Sequence, residues 1–404
     1  MADSEYWIWL QTALGCGAST AELLHYYQTP QAVYDALCRR EIDSFIAPAL
    51  RKRLASVSPS QSYAIQKQCG DNGWQIITPD SAYFPDSFRH LQTMPLALYV
   101  AGDPAVLKQE FAVGFVGARQ ASRYGGRIAE ELAYCVAAAG AVVVSGCALG
   151  IDSYSHLGAL EAHGTTIGFL GTGLGEDYPK GNRGIRTAIP RRGALVSEYP
   201  PFTKGSKYTF PVRNRLIAAL SLGVVVVEAA EKSGALITAG YAAEYGRDVF
   251  AVPGEITDSA FTGCHKLIRD GAKPVFNAAD ILEEYVYRFG IDPQSIRTHF
   301  PQEAIVRTRK SAPEKQTPPQ TLPARKSEEP PVPQAVKREK KTLPAYIDAL
   351  GAEIYNHIIE NGGMDADAAA ALLHAEIKNV LSSLTMLELV GVVKKSGSGR
   401  YEPV

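Results

Sequence analysis

The chain has 404 residues, 46% of them hydrophobic, and 41 basic against 42 acidic side chains give a formal net charge of −1. That is room for two or three domains with sizeable cores, and the neutrality excludes a histone-like coat on nucleic acid, so any polyanion site must be a local patch. No apolar run reaches the ~18 residues of a membrane span. The start Met1-Ala2-Asp3-Ser4-Glu5 lacks the basic and apolar segments of a secretory signal. A cytoplasmic protein without a membrane contact is expected. Residues 1–69 read as a helical domain. Trp7 to Leu14 is apolar on one face and breaks at Gly15-Cys16-Gly17. Ser19-Thr20 offers an N-cap for Ala21 to Tyr27, and Thr29-Pro30 starts a helix through Leu37. Helix, glycine turn, helix fits a packed helical cap, and it also fits a small hairpin that grips a DNA backbone.

From about residue 70 to 290 short β-rich runs alternate with helical patterns. Ala112–Val116, Ala141–Ser145, Thr165–Leu170, Ala194–Ser197, Gly223–Glu228 and Asp248–Val252 read as buried strands. Gly126–Ala139, Asp152–His163, Arg213–Leu222 and Leu236–Tyr245 read as the helices between them. This predicts an α/β fold, a mostly parallel sheet with helices on both faces, with ligands outside the carboxyl ends of its strands.

Residues 301–344 hold nine prolines, ten Lys or Arg, five acids and no aromatic residue. Such a segment buries too little apolar surface to fold and reads as a mildly basic linker. In 345–404 the pattern returns: Tyr346–Asn361, a short helix capped by Asp365 to Leu373, and Ala375–Leu389. Val390–Lys394 and Arg400–Pro403 could pair around Ser396-Gly397-Ser398-Gly399. That is the outline of a winged helix. Its third helix offers the groove only Lys378, Asn379 and two serines, which favours a protein-contact or dimer-support role over DNA readout.

Cys16, Cys38, Cys69, Cys135, Cys147 and Cys264 have neither metal-site nor finger spacing, so they read as reduced thiols, and no metal site or disulfide framework is expected. Cys147 has no evident His partner in sequence. His156 and His163 have no acid and nucleophile grouped with them, and His156 reads as a structural histidine.

Four strand ends carry small-residue loops. They are Gly117-Ala118-Arg119-Gln120-Ala121-Ser122, Ser145-Gly146-Cys147-Ala148-Leu149-Gly150-Ile151-Asp152, Gly171-Thr172-Gly173-Leu174-Gly175 and Ser233-Gly234-Ala235-Leu236-Ile237-Thr238. Small residues admit a phosphate close to the backbone, helix starts supply N–H donors, and Arg119 adds a bidentate one. No Gly-Lys-Ser/Thr P-loop and no dinucleotide fingerprint is present, so no cofactor is expected. Between Lys180 and Arg215 stand nine bases and the single acid Glu198, interleaved with Tyr199, Phe202, Tyr208 and Phe210. Bases draw phosphates and aromatic faces stack on unpaired nucleobases. Phe210, before Pro211, fits either a core position or such a stacking ring.

Gly117-Ala118-Arg119 with Tyr124-Gly125, the Ser145 to Asp152 loop, Asp177-Tyr178-Pro179, Ser197-Glu198-Tyr199-Pro200, Phe210-Pro211-Val212-Arg213-Asn214-Arg215-Leu216-Ile217, Val227-Glu228-Ala229, Ser233 to Ala239 and Ala251-Val252-Pro253-Gly254 occur in this order. The series, over roughly residues 75–285, resembles the bacterial DNA-processing protein A family (DprA, also called Smf). The resemblance implies an extended Rossmann-like domain between a helical N-terminal domain and a winged helix. It further implies a non-enzymatic protein that binds single-stranded DNA, protects it in natural transformation and loads the recombinase RecA. A homodimer through the Rossmann-like domain is expected. By matching motif, Arg119, Lys207 and Phe210 carry over as DNA-binding residues and Lys180 is a further basic candidate. The full candidate set adds Gly117, Ser122, Ser145, Gly146, Arg213, Asn214, Arg215, Gly234 and Thr238. Where the family has Gly-Ile-Asp-x-x-Ala-His, this chain has Ser155 in place of Ala and keeps His156.

The sheet also resembles nucleoside-monophosphate phosphoribohydrolases, which carry Pro-Gly-Gly-x-Gly-Thr-x-x-Glu. Here the corresponding loop runs Ser233 to Tyr241, and Tyr241 replaces the acid. That favours binding over glycosidic cleavage.

Overall fold

Five short helices open the chain in the computed structural model, which describes residues 3–42, 46–292, 296, 349–373, 375–389, 392–395 and 400–403. They are α1 (Asp3–Leu14), α2 (Ala21–Tyr27), α3 (Pro30–Arg39), α4 (Pro48–Ser56) and α5 (Pro59–Asp71). Proline starts three of them, at a position whose N–H has no helical partner anyway. Thr29 caps α3 by accepting from Ala32 N–H at 3.1 Å, whereas Thr20 precedes α2 without a side-chain bond. Trp9, Leu10, Leu14, Val33 and Leu54 form the core of this helical layer. The Gly15–Gly17 turn packs inward. Gly17 N–H donates to Glu198 Oε1 at 3.2 Å, and a Cβ at Gly17 would stand 2.6 Å from Val212 Cγ1. The turn thus packs against the Glu198 and Val212 side chains as part of the helical layer.

The chain then continues through β1 (Gln75–Ile77), α6 (Asp86–Arg89), β2 (Leu98–Gly102), β3 (Ala112–Val116), α7 (Arg123–Ala138), β4 (Val142–Ser145), α8 (Ile151–Glu161), β5 (Thr166–Leu170) and α9 (Arg183–Ala188). After these come β6 (Ala194–Ser197), α10 (Thr209–Leu220), β7 (Gly223–Val226), α11 (Ala235–Glu244), β8 (Asp248–Ala251), α12 (Thr262–Arg269), β9 (Lys273–Pro274), α13 (Ala279–Leu282) and α14 (Val286–Phe289). The nine strands form one sheet in the order β1-β2-β6-β5-β4-β3-β7-β8-β9. From β6 to β9 every neighbouring pair is parallel, and β1 and β2 add an antiparallel edge. The six expected strands are present, and β1, β2 and β9 lie outside the sequence reading. β1 and β9, of three and two residues, fall below what periodicity resolves, whereas β2 is as long as β3.

The period of two sorts side chains between two helical layers. Val113, Phe115, Val143, Val225 and Val227 pack against Leu132, Ala133, Val136 and Ala159 of α7 and α8. Ala112, Val116, Val142, Val144, Val224 and Val226 pack on the other face, against Leu216, Ile217 and Leu220 of α10 and Ala235, Ala239 and Ala242 of α11. Helices on both faces leave the carboxyl ends of β3, β4, β5 and β7 opening on one side, with their four small-residue loops together.

The chain divides into the units Met1–Glu314 and Lys315–Val404. The second contains α15 (Ala349–Asn361), α16 (Ala366–Leu372), α17 (Ile377–Leu389) and an antiparallel pair, β10 (Val393–Lys395) with β11 (Tyr401–Pro403). Asp365 caps α16 by accepting from Ala368 N–H at 2.7 Å. Ile354, Ile358, Ala369, Val380, Leu384 and Val393 form its core. The expected linker 301–344 and the tip Ser396–Gly399 lie outside the described residues. Among the described residues no helix is long and apolar enough to cross a membrane.

Candidate functional site

Two adjoining cavities lie over the carboxyl ends of the central strands and share Arg119, Ala148 and Phe210 in their walls. The larger, about 540 Å³, is lined by Gly117, Asp152, Lys207, Arg213, Asn214, Gly234 and Thr238 among others. The smaller is lined by Gly146, Cys147, Leu149, Gly171, Thr172, Tyr178 and Pro179.

Phe210 stands at the junction, in the first turn of α10. Its ring packs against the third loop, where a Cβ at Gly171 would come within 2.4 Å of Cδ1. Tyr178 flanks it, with ring centroids 5.6 Å apart and planes at 40°. The exposed Arg119 guanidinium sits 4.8 Å from its centroid. Phe210 is half-buried. The ring is therefore fixed on one side by backbone and accompanied on another by a cation, a geometry that holds an aromatic face at a cavity mouth.

The nine bases of the 180–215 stretch do not form one patch. Arg186 donates to the carbonyls of Leu174 and Tyr178 at 3.1 and 2.9 Å and pins the third loop. Arg213 is buried and donates to the carbonyls of Gly146 and Phe169. Burial lowers its pKa, which nearby Asp152 partly restores. Arg215 is 2% exposed and pairs with Glu198 through both carboxylate oxygens at 2.9 and 2.8 Å. Burial alone would lower the Arg215 pKa, but Glu198 raises it above its ordinary value. Lys180, Lys204 and Lys207 are exposed, and Lys207 lies on the rim of the larger cavity.

Helix starts at this edge are partly self-satisfied. The Glu228 carboxylate, at the end of β7, accepts from Ser122 N–H at 3.0 Å and from Ser122 Oγ at 2.7 Å, and Ser122 Oγ in turn caps α7 by accepting from Gly125 N–H at 2.9 Å. An anion already occupies the place where a phosphate was expected. In the second loop the Asp152 carboxylate accepts from Ala148 N–H at 3.2 Å. Burial raises its pKa and Arg213 opposes the shift.

Cys147 does have a histidine partner, nine residues on: Sγ lies 3.4 Å from His156 Nε2. Burial pushes the thiol up to about 12 and the imidazole down to about 3. His156 is fully buried and bonds Thr166 Oγ1 at 2.7 Å through Nδ1. A neutral imidazole beside a protonated thiol is a packing pair with no activated nucleophile.

Gly117, Arg119, Gly146, Lys207, Phe210, Arg213, Asn214, Gly234 and Thr238 thus come together around the two cavities. Four expected residues are placed elsewhere. Ser122 is the α7 cap, and Ser145 is fully buried with Oγ donating to the Phe115 carbonyl at 2.6 Å. Arg215 is neutralised by Glu198, and Lys180 stands exposed without lining either cavity. Tyr178 and Thr172 belong to the site and were not expected there. Their only local signal is an aromatic before proline and a hydroxyl between glycines.

Residues 75–286 match the family model described as DNA recombination-mediator protein A. The DNA processing protein DprA of Bacillus subtilis (strain 168) is 38% identical over 242 residues, which are 60% of this chain and 81% of that protein. DprA of Streptococcus pneumoniae (strain ATCC BAA-255 / R6) is 41% identical over 204 residues, 50% of this chain and 72% of the relative. The X-ray structure of DNA processing protein A from Streptococcus pneumoniae superposes with a TM-score of 0.61 at 32% identity, covering 69% of this chain and 97% of that one.

Proposed function

The chain belongs to the DNA recombination-mediator protein A family, and on that premise we propose that it binds single-stranded DNA at the paired cavities. The observation that carries this reading is the Arg119 guanidinium over the Phe210 ring at the cavity junction. A ring held at a cavity mouth can stack on an unpaired base of any kind, and Arg119 and Lys207 suit the neighbouring phosphates. Duplex bases hide their faces from such a ring. Binding without chemistry is the preferred reading. Tyr241, at the position of the hydrolase acid, stacks on Tyr245 at 5.9 Å and does not line the cavities.

DNA processing in natural transformation, protection of the incoming strand, loading of RecA and a homodimer through the Rossmann-like domain complete the proposal, on the strength of family membership. The second unit is read as a winged helix that contacts protein.

Electrophoretic mobility shifts at two salt concentrations test the core of this reading. The chain should retain a single strand in preference to the matching duplex, and its affinity should fall steeply as salt rises, because bound phosphates release counterions. A salt-insensitive affinity, or equal retention of duplex, would refute it.

Phe210→Ala should lose about 1–3 kcal/mol of affinity for oligo-dT, the worth of one stacked base. Its melting temperature should fall little, since a half-exposed ring costs less than the ~3–5 kcal/mol of a buried phenylalanine. A large melting drop with unchanged affinity in the folded fraction would assign Phe210 to packing.

A further inference from the structure

A second phenylalanine repeats the arrangement of Phe210 on the same loop. Phe202 is 51% exposed, and its ring packs against Gly175, where a Cβ would come within 2.3 Å of Cε1. Gly171 under Phe210 and Gly175 under Phe202 are four residues apart, hence no more than ~14 Å along an extended chain. The loop between them is stiff. Gly173 N–H donates to Thr203 O at 2.8 Å and Gly175 N–H to Pro201 O at 2.7 Å, and Arg186 holds the opposite side by its carbonyls.

Beside Phe202 stands Trp74, ring centroids 6.1 Å apart at 53°, over a groove of about 370 Å³ lined by Trp74, Leu174, Gly175, Arg183 and Thr187 among others. The groove also contains Glu176 and Asp177, and Arg183 pairs with Asp177. Acid in the groove disfavours a phosphate inside it. The exposed Lys204, two residues past Phe202, offers a phosphate a place outside.

We propose that the Phe202–Trp74 ring pair beside this groove is an outer base-stacking subsite for the same single strand, taking a nucleobase that has left the Phe210 cavity while the backbone passes over Lys204. This rests on the single-strand reading above. The occupant follows from continuity: both rings pack on one short glycine loop, Phe210 on Gly171 and Phe202 on Gly175.

The test compares oligo-dT of about four and about twelve nucleotides on the full chain, within the span of known single-strand site sizes. Phe202→Ala should weaken the longer strand roughly 5- to 150-fold, the worth of one stacked base, and leave the shorter unchanged. Phe202→Tyr should restore binding. The longer strand should quench fluorescence that Trp74→Phe removes, and the shorter should not. Equal loss on both lengths would assign Phe202 to holding the loop, and any pattern other than length-selective loss with Trp74 quenching overturns the subsite. If the unmodified chain binds neither strand, the Phe210 cavity reading itself fails, which is a different result from losing the outer subsite alone. Phe202→Ala must keep its melting temperature for the comparison to count, as half-exposure leads one to expect.

Discussion

Glu198→Ala should destabilise the first unit by about 3–5 kcal/mol, because removing one member of a buried pair leaves the other charge stranded. Arg215 would keep Thr93 Oγ1 at 2.9 Å and the Thr93 carbonyl at 2.8 Å, both neutral acceptors. Glu198 also receives Gly17 N–H on its carboxylate, and its carbonyl receives Gln11 Nε2 at 3.0 Å. The carbonyl survives the substitution, so what loosens is the Gly15–Gly17 turn and α10, which hold the carboxylate. A fall in melting temperature of roughly 5–8 °C is expected for a unit of about 300 residues. Glu198→Gln, which keeps an acceptor and loses the charge, should fall between. A melting temperature within a degree or two of the parent would show that the pair is replaceable.

Arg119→Ala should weaken single-strand binding by about 1.5–3 kcal/mol, a loss of about 10- to 150-fold, with little change in melting temperature. The side chain is exposed and its guanidinium rests on Phe210, so truncation removes a phosphate donor and frees the ring's neighbour without opening the core. Arg119→Lys should recover only part of the loss, since an ammonium has no planar face to lie on the ring. Anisotropy titrations of the three proteins decide it. Unchanged affinity in folded Arg119→Ala would move the binding surface away from these cavities.

The sheet was legible because its strands are valine-rich runs bounded by glycine, and each helix between them has its own apolar stripe. The loops were legible as glycine clusters at strand ends. The fate of individual bases was not. Arg213 and Arg215 are two apart on α10, roughly 200° around a helix, so one turns to the carbonyls of Gly146 and Phe169 and the other to Glu198. A count of charges along a sequence cannot separate them. Nor could local pattern reveal Glu228 at the start of α7, because its partner Ser122 lies 106 residues earlier. Cys147 and His156 were separable in sequence only as isolated residues. Their contact depends on the second loop, where Cys147 turns to a positive φ of 54°.

Glu228 at the start of α7 also decides what can compete with a polymer. A helix end that already holds its own carboxylate repels sulfate, inorganic phosphate and the phosphates of free nucleotides alike. A monomeric anion has one handle to offer, and at this position it is refused. On the proposed reading a long strand has many, so the loss of one would be spread over Arg119, Lys207 and whatever else lies along its path. On that reading retention should grow with chain length, while the start of α7 is closed to small anions by a single glutamate with no moving part.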